Sequence, residues 1–204
     1  MLLDVEYRVP VFISSTYEDL VEYRQKVKES LDRLQVNTYW MEYFGARPGS
    51  SKTACLDTVA KCRIVVLIVG MRYGSIDEKT GMSYTHMEYA EAMKLNIPVL
   101  VYLMDEKKAR IAPIFVDKDE KAKKLEEFKA HLLGKHQCCF FENPDQLANY
   151  VMHGVLPLRD KIRKEKLMEV NLIKIEKSNI MGPARLAEAA RFDPVEFNDF
   201  MINM

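Results

Sequence analysis

The sequence lacks a surplus of charge and lacks long apolar runs, and these two absences exclude several classes of protein. Its 204 residues include 30 Lys and Arg against 30 Asp and Glu, so the formal net charge is zero. A chain without a basic surplus has no excess positive charge that would attract a nucleic acid or an anionic membrane surface. The longest apolar stretches, 64–70 and 97–104, are far shorter than the roughly 20 residues that cross a bilayer. We therefore expect neither a nucleic acid nor a membrane among its direct partners.

Cysteine is also scarce, and its spacing indicates neither a metal site nor a disulfide framework. The four cysteines are Cys55, Cys62, Cys138 and Cys139, and none of them forms a CxxC pair. The four histidines do not lie at metal-ligand spacing from these cysteines. The first seven residues lack the basic start and apolar run of a signal peptide. These observations predict free thiols in a reducing cytoplasm, and no bound metal.

Predicted strands and helices alternate along most of the chain. Short runs rich in apolar and β-forming residues predict strands at 8–14, 36–43, 63–70, 96–104 and 137–141. Helical spacing predicts the intervening helices, at about 16–35, 51–62, 83–95, 121–133 and 143–177. Ser15 and Glu18 have the spacing of a capping box at the start of the first helix. Such alternation predicts an α/β fold with a five-stranded parallel sheet and right-handed crossovers.

The C-terminal part of the chain has a different character. Gly154 and Pro157 lie inside the last long helix as candidate positions for a kink or a break. Beyond this helix, two short helices are predicted at about 184–191 and 194–202, and they carry several large apolar groups. So many apolar groups predict docking, either on the chain's own domain or on a neighbouring subunit. The predicted domains are an α/β domain at 1–158 and a helical C-terminal extension at 159–204.

Parallel α/β sheets bind ligands at the carboxyl ends of their strands, so the loops that follow strands form the candidate site. The first loop holds Ser14, Ser15 and Tyr17 at a predicted helix N-terminus, where backbone amides and hydroxyls suit a phosphate. The loop after the third predicted strand holds Arg72 and Tyr73 between two glycines, an arrangement that suits the phosphates and base of a nucleotide. Simple helix capping and an ordinary turn are the alternative interpretations of these two loops.

A glutamate early in the third predicted helix is the candidate for chemistry. Ser83 or Thr85 caps this helix, and Glu88 then lies about one turn into it, on the same face as Tyr84. An inward carboxylate at this edge of the sheet stands near the sugar of a ligand. Breaking an N-glycosidic bond develops positive charge on the ribose, which a carboxylate can oppose or attack. The alternative is a solvated side chain, and spacing by itself leaves both interpretations open.

Four sequence blocks together resemble a known family. They are VFISSTYEDL at 11–20, IVVLIVGMRYG at 64–74, SYTHMEY at 83–89 and IPVLV at 97–101. In these blocks the chain resembles a family catalogued as a domain of unknown function, which often stands at the N-terminus of STAND-type NTPases and tetratricopeptide proteins. That family is similar in fold to Toll/interleukin receptor (TIR) domains and to nucleoside deoxyribosyltransferases. The resemblance implies a flavodoxin-like, TIR-like three-layer fold over residues 9 to about 150.

The same resemblance implies an activity and a site. By position, Glu88 matches the acidic residue that supports nicotinamide release in NAD-cleaving TIR domains and that is the nucleophile of the deoxyribosyltransferases. NAD is then a substrate, and no cofactor is implied. Relatives act as effectors in immunity, including bacterial antiphage defence, and we expect activation by a homo-oligomer or a partner protein. The residues expected to bind the substrate are Ser14, Ser15, Tyr17, Arg24, Glu42, Gly70, Arg72, Tyr73, Gly74, Ser83 and Tyr84.

Two other functions stay open at this point. Many TIR domains only scaffold assemblies, so a non-catalytic interaction and signalling module is the first alternative. A nucleotide-binding protein of the deoxyribosyltransferase kind is the second. The chain also departs from the TIR pattern, because Thr85 and His86 replace the aromatic residue and the cysteine that flank the glutamate there. The leading interpretation is an enzyme, an NAD nucleosidase, with Glu88 as its catalytic residue.

Overall fold

Five strands and the helices between them form the part of the chain that carries the candidate site. The computed structural model describes residues 7–40 and 51–180, with side chains throughout these ranges except at 51–52 and 174–180. The strands are β1 Pro10–Ser15, β2 Asn37–Tyr39, β3 Ile64–Val69, β4 Val99–Met104 and β5 Cys139–Phe141. The helices are α1 Val21–Asp32, α2 Ser51–Lys61, α3 Tyr84–Lys94, α4 Asp119–Lys135 and α5 Pro144–Ile180. A short 3-10 turn, Pro113–Phe115, lies between β4 and α4.

The strand order of the sheet is β2-β1-β3-β4-β5, and every neighbouring pair is parallel. Strand β2 lies on one side of β1, and β3, β4 and β5 follow in order on the other side, so the direction of winding reverses between β2 and β3. Such a reversal opens a crevice at the carboxyl ends of the neighbouring strands β1 and β3. The predicted α/β, flavodoxin-like fold with five parallel strands is confirmed, and its crevice indicates where a ligand should bind.

Both faces of the sheet are covered by helices, which explains why its central strand is apolar throughout. All six residues of β3 are buried, as its continuous run of Ile, Val and Leu predicts. On one face, Phe12 and Val65 pack with Val59 of α2. The strand register turns Tyr102 of β4 to the opposite face, where its hydroxyl donates to the Tyr150 carbonyl of α5. The predicted three-layer arrangement is therefore present.

The last helix, α5, is continuous through the two positions that were candidate breaks. Gly154 lies where α5 approaches β4, because a Cβ atom there would come within 2.5 Å of the Tyr102 hydroxyl oxygen. Pro157 is exposed, so the hydrogen bond that its missing N–H removes is lost on the solvent side of the helix. Glycine at 154 therefore serves close packing, and neither residue ends the helix.

The start of the first helix differs from the sequence prediction. α1 begins at Val21 rather than near residue 16, and the capping box predicted for Ser15 and Glu18 does not form. The Ser15 hydroxyl donates instead to the Thr16 carbonyl, and the N-cap residue of α1 makes no side-chain hydrogen bond. The segment between β1 and α1 is a loop because a side chain of α1 holds its carbonyls, so they do not enter a helical ladder.

The second strand, predicted at 36–43, is described as β2 Asn37–Tyr39, and residues 41–43 of the prediction lie outside the described residues. Glu42 and the loop predicted after β2 lie outside the described residues, as do the two short helices predicted beyond residue 180. The chain divides into two units, Met1–Arg159 and Asp160–Met204. Within the described ranges, no helix combines the length and the apolar character that crossing a membrane requires.

Candidate functional site

A cavity of about 220 Å³ opens at the carboxyl edge of the sheet. Its walls come from strand β1 and the loop after it, the loop after β3, the first turns of α3 and one residue of α2. The lining residues are Phe12, Ile13, Ser15, Thr16, Tyr17, Glu18, Cys55, Arg72, Gly74, Ser75, Tyr84, Thr85 and Glu88. The cavity thus lies beside the crevice between β1 and β3, where this fold is expected to hold a ligand.

Glu88 is the buried acid of this cavity. Helix α3 begins after its N-cap Ser83, whose hydroxyl accepts a hydrogen bond of 3.2 Å from the His86 amide. This cap sets the start of the helix so that Thr85, Glu88 and Ala92 all lie on its buried side. Glu88 is only 7% exposed, although its side chain is a carboxyl group. Of the two interpretations that its spacing left open, the structure has Glu88 at a cavity wall rather than in bulk water.

Two neutral donors reach the Glu88 carboxylate. The Ser14 hydroxyl of β1 donates to Oε2 over 2.5 Å, and the Cys55 thiol of α2 donates to the same carboxylate. Within the part of the chain that the structure describes, no lysine or arginine forms an ion pair with Glu88. Burial is the largest influence and raises the pKa of Glu88 from 4.5 to about 7, while the two hydrogen bonds lower it by less. Near neutral pH, Glu88 therefore exists in both protonation states.

A buried arginine holds the loop after β1 in place. Arg24 of α1 is 1% exposed, and its guanidinium donates to the carbonyls of Thr16 and Tyr17, the latter over 2.6 Å. It also donates to the Ser15 hydroxyl over 3.1 Å. Arg24 lies behind the loop and outside the cavity lining. Arg24 therefore supports the loop that forms part of the cavity wall, and its own side chain does not line the cavity.

Arg72 supplies positive charge at the cavity. Its Nη1 lies 2.6 Å from Oε2 of Glu18, and its Nε lies 3.7 Å from Oδ1 of Asp117. The Arg72 side chain is 22% exposed and that of Glu18 is 66% exposed, so water reaches this ion pair. Tyr17, which is half-exposed, and Tyr84 add aromatic surface to the same cavity. A charged and aromatic rim of this kind suits the phosphate and base of a nucleotide.

The structure brings together about half of the residues that the sequence nominated. Those that line the cavity are Ser15, Tyr17, Arg72, Gly74, Tyr84 and Glu88. Ser14 does not line it, and its hydroxyl is instead bonded to Glu88. Ser83 is the N-cap of α3 and is 1% exposed, also outside the lining. Glu42 lies outside the described residues.

Two further nominated residues, both from the loop after β3, belong to the packing of the domain. A Cβ atom on Gly70 would lie 3.0 Å from Oδ2 of Asp19, so glycine permits the close approach of these two loops. Tyr73 is 5% exposed, with its hydroxyl 3.0 Å from Nδ1 of His86 and its ring edge-on to Phe128. Neither residue lines the cavity.

Sequence reasoning missed two ionisable groups that do line the cavity. Glu18 had been considered only as half of a capping box, although it belongs to the VFISSTYEDL block. The sequence predicts only a free thiol at Cys55, because only the fold brings α2 beside Glu88. Among the described residues, no group of three or more His, Cys, Asp or Glu side chains is arranged to hold a metal ion.

Comparison with known families concerns most of the α/β domain. Residues 10–155 match the family described as Domain of unknown function (DUF4062). The chain belongs to this family. The DUF4062 match runs from the start of β1 into α5, so it includes every residue that lines the cavity. No curated protein matches the chain.

One solved structure with a related chain trace is the "Structure of the activated Roq1 resistosome directly recognizing the pathogen effector XopQ (TIR domains)". The similarity covers 79% of this chain and 99% of that chain, at 15% sequence identity and a TM-score of 0.39. A similarity at this level carries no argument about function. The site of this DUF4062 domain is therefore interpreted from its own residues.

Proposed function

We propose that this DUF4062 domain cleaves the N-glycosidic bond between nicotinamide and ribose in NAD, with Glu88 as the catalytic residue. The observation that carries the proposal is the position of the Glu88 carboxylate and the charge of its neighbours. It lines a cavity at the carboxyl edge of the sheet and has no cationic partner among the described residues. A carboxylate that is buried in a cavity wall and free of an ion pair is available to oppose positive charge on a substrate.

The reaction needs only this carboxylate and water. When the bond from C1′ of the ribose to the nicotinamide nitrogen breaks, both electrons leave with the nicotinamide, which becomes neutral. The ribose is left with positive charge that C1′ shares with the ring oxygen. Ionised Glu88 stabilises this charge, or bonds to C1′ and is then displaced, and water adds at C1′ with loss of a proton. The products are nicotinamide, ADP-ribose and one proton.

The size of the cavity suits part of a dinucleotide. Its volume of about 220 Å³ is smaller than the roughly 300–1,000 Å³ of pockets that enclose drug-sized ligands. The nicotinamide and its ribose would occupy this space, and the rest of NAD would extend over the rim. There Arg72 offers a guanidinium to a phosphate, and Tyr17 offers an aromatic face. The arrangement thus supports a substrate with an anionic group beside the reacting sugar.

Only ionised Glu88 can act in this scheme, and that requirement predicts a pH dependence. Burial raises the pKa of Glu88 to about 7, so the ionised fraction grows as the pH rises through neutrality. The value of kcat/KM for NAD should therefore increase about tenfold per pH unit in acid and level off above the pKa of Glu88.

The test is release of nicotinamide from NAD by the purified chain, followed by chromatography. It is run over a range of chain concentrations, since activation by self-assembly or by a partner protein is part of the proposal. Glu88→Gln should lower the rate by about 100-fold or more. Glu91→Gln is the matched control and should keep the wild-type rate, because Glu91 lies one turn further along α3 and pairs with Lys94.

The other outcomes decide between the alternatives. Release of nicotinamide at the wild-type rate by Glu88→Gln would place the activity elsewhere. No release by the wild-type chain at any concentration would favour the non-catalytic interaction module. Exchange of bases on a deoxynucleoside, without NAD hydrolysis, would indicate the deoxyribosyltransferase kind of chemistry. The proposed role in immune or antiphage defence depends on NAD cleavage, since loss of NAD is what would harm the cell.

A further inference from the structure

We propose that Ser14 and Cys55 are positioning residues, which influence the reaction through Glu88, Ser14 from outside the cavity and Cys55 from its wall. Their hydroxyl and thiol fix the direction of the Glu88 carboxylate and favour its ionised form. The inference rests on the proposed function for its effect on NAD cleavage. Its effect on Glu88 itself can be measured without any substrate.

Ser14 contacts the carboxylate from the sheet. It is 1% exposed and lies next to the end of β1, where an extended backbone allows its side chain few directions. The strand register pairs Ser14 with Leu67 of β3, and the side chain of Leu67 packs in the core beneath α3 and α4. Because paired residues of neighbouring strands share a face of the sheet, the Ser14 hydroxyl points towards the same two helices. It donates to Oε2 of Glu88 over 2.5 Å. Because Ser14 does not line the cavity, a ligand there is affected by it only through Glu88.

Cys55 contacts the same carboxylate from the helical layer. It lies in α2, one turn before the buried Val59, and is itself 4% exposed. Burial and the neighbouring Glu88 raise the pKa of the Cys55 thiol to about 12. The thiol therefore stays protonated at any pH in the physiological range and serves as a permanent donor rather than as a nucleophile. Two secondary-structure elements, β1 and α2, thus hold one side chain of a third, α3.

Neutral donors suit this task better than a cation. A lysine or arginine in contact would cancel the charge that is needed to oppose the positive charge on the ribose, whereas a hydroxyl and a thiol leave it in place. The other ionisable side chains that line the cavity are Tyr17, Glu18, Arg72 and Tyr84. Of these, Arg72 is already paired with Glu18 and Asp117. Burial raises the pKa of Glu88, and Ser14 and Cys55 are the groups that lower it.

The test is a titration of Glu88 in the full chain, followed by ¹³C NMR of its carboxyl carbon, with Glu88→Gln to assign the signal. Ser14→Ala removes the hydroxyl donor and should raise the midpoint by roughly one to two pH units. Ser14→Thr restores a hydroxyl and should return the midpoint towards the wild-type value. Ser30→Ala is the matched control, because it removes another buried hydroxyl, which donates to the Val27 carbonyl in α1. This control should leave the titration midpoint of Glu88 unchanged.

The Cys55 variants give an independent arm of the same experiment. Cys55→Ala should raise the midpoint by less than Ser14→Ala does, because a thiol is the weaker donor. Cys55→Ser supplies a hydroxyl and should leave the midpoint near or below the wild-type value. In the NAD assay, the pH at which kcat/KM levels off should move with the NMR midpoint in each variant, which a merely structural defect would not produce.

The outcomes separate this inference from the proposed function. Midpoints that stay unchanged in both Ser14→Ala and Cys55→Ala, in folded chains, overturn the inference. Midpoints that move as expected in chains that release no nicotinamide support the positioning of Glu88 and overturn the proposed function. If Ser14→Ala does not fold, the comparison of Cys55→Ala with Cys55→Ser carries the test in its place.

Discussion

Replacing Glu88 with glutamine should stabilise the folded chain in alkaline solution, although the same change should slow NAD cleavage by about 100-fold or more. The pKa of Glu88 rises from its ordinary 4.5 to about 7 in the folded protein. Each pH unit between the two values corresponds to ~1.4 kcal/mol, so keeping the ionised carboxylate in the fold costs about 3 kcal/mol. Glutamine has nearly the same shape and no charge, so it avoids this cost.

The direction of the pKa change determines the pH window of the effect. Folded Glu88 holds its proton more tightly than unfolded Glu88, so its contribution to stability is fully present below pH 4.5 and is lost as the pH rises through about 7. The free energy of unfolding of the wild type, relative to Glu88→Gln, should therefore fall by about 3 kcal/mol between pH 4.5 and about pH 8.

Urea unfolding of both proteins, followed by circular dichroism at several pH values, measures this difference. Every other titrating group is common to the two proteins, so the difference isolates Glu88. Glu91→Gln, on the partly exposed side of the same helix, should follow the wild type at every pH. A difference between wild type and Glu88→Gln that stays constant with pH would refute the reasoning, because it would mean that Glu88 ionises in the fold as readily as in water.

Two further predictions concern the arginines of the site. Arg24→Met should lower the free energy of unfolding by about 3 kcal/mol in urea titrations, because the Thr16 and Tyr17 carbonyls, the first of them buried, lose their donor. The exposed Arg33→Met should change it by less than about 0.5 kcal/mol, and equal effects of the two would contradict the role of Arg24. Arg72→Gln should raise the KM for NAD roughly tenfold and leave that for nicotinamide riboside, which has no phosphate, unchanged in steady-state assays. The exposed Arg63→Gln should alter neither value, and equal effects of Arg72→Gln on both substrates would show that Arg72 contacts no phosphate.

The features that sequence reasoning predicted are those that depend on local pattern. An unbroken apolar run at 64–69 can be buried only between two helical layers, and β3 is the fully buried central strand. Helix periodicity with a serine cap likewise places Glu88 one turn into α3 on its inner side. The order of elements along the chain then brings that side chain to the carboxyl edge of the sheet.

The features that it missed depend on contacts between distant segments. Ser15 and Glu18 have the spacing of a capping box, but Arg24 competes for the same stretch of backbone and keeps it as a loop. No local pattern reveals this competition, since an arginine in a helix is ordinarily a solvated side chain. The donor role of Cys55 is similar, because it arises only where α2 meets α3 in the folded chain.

The ion pairs of Arg72 have a consequence for how the cavity admits a ligand. Through Glu18 and Asp117, one guanidinium joins the segments that follow β1, β3 and β4. Because Glu18 is two-thirds exposed, its attraction to Arg72 is weak in water, on the order of 1 kcal/mol or less, and weaker still in salt. An incoming anion can therefore take the place of Glu18 at little energetic cost, while the less exposed Asp117 still holds the guanidinium at the cavity.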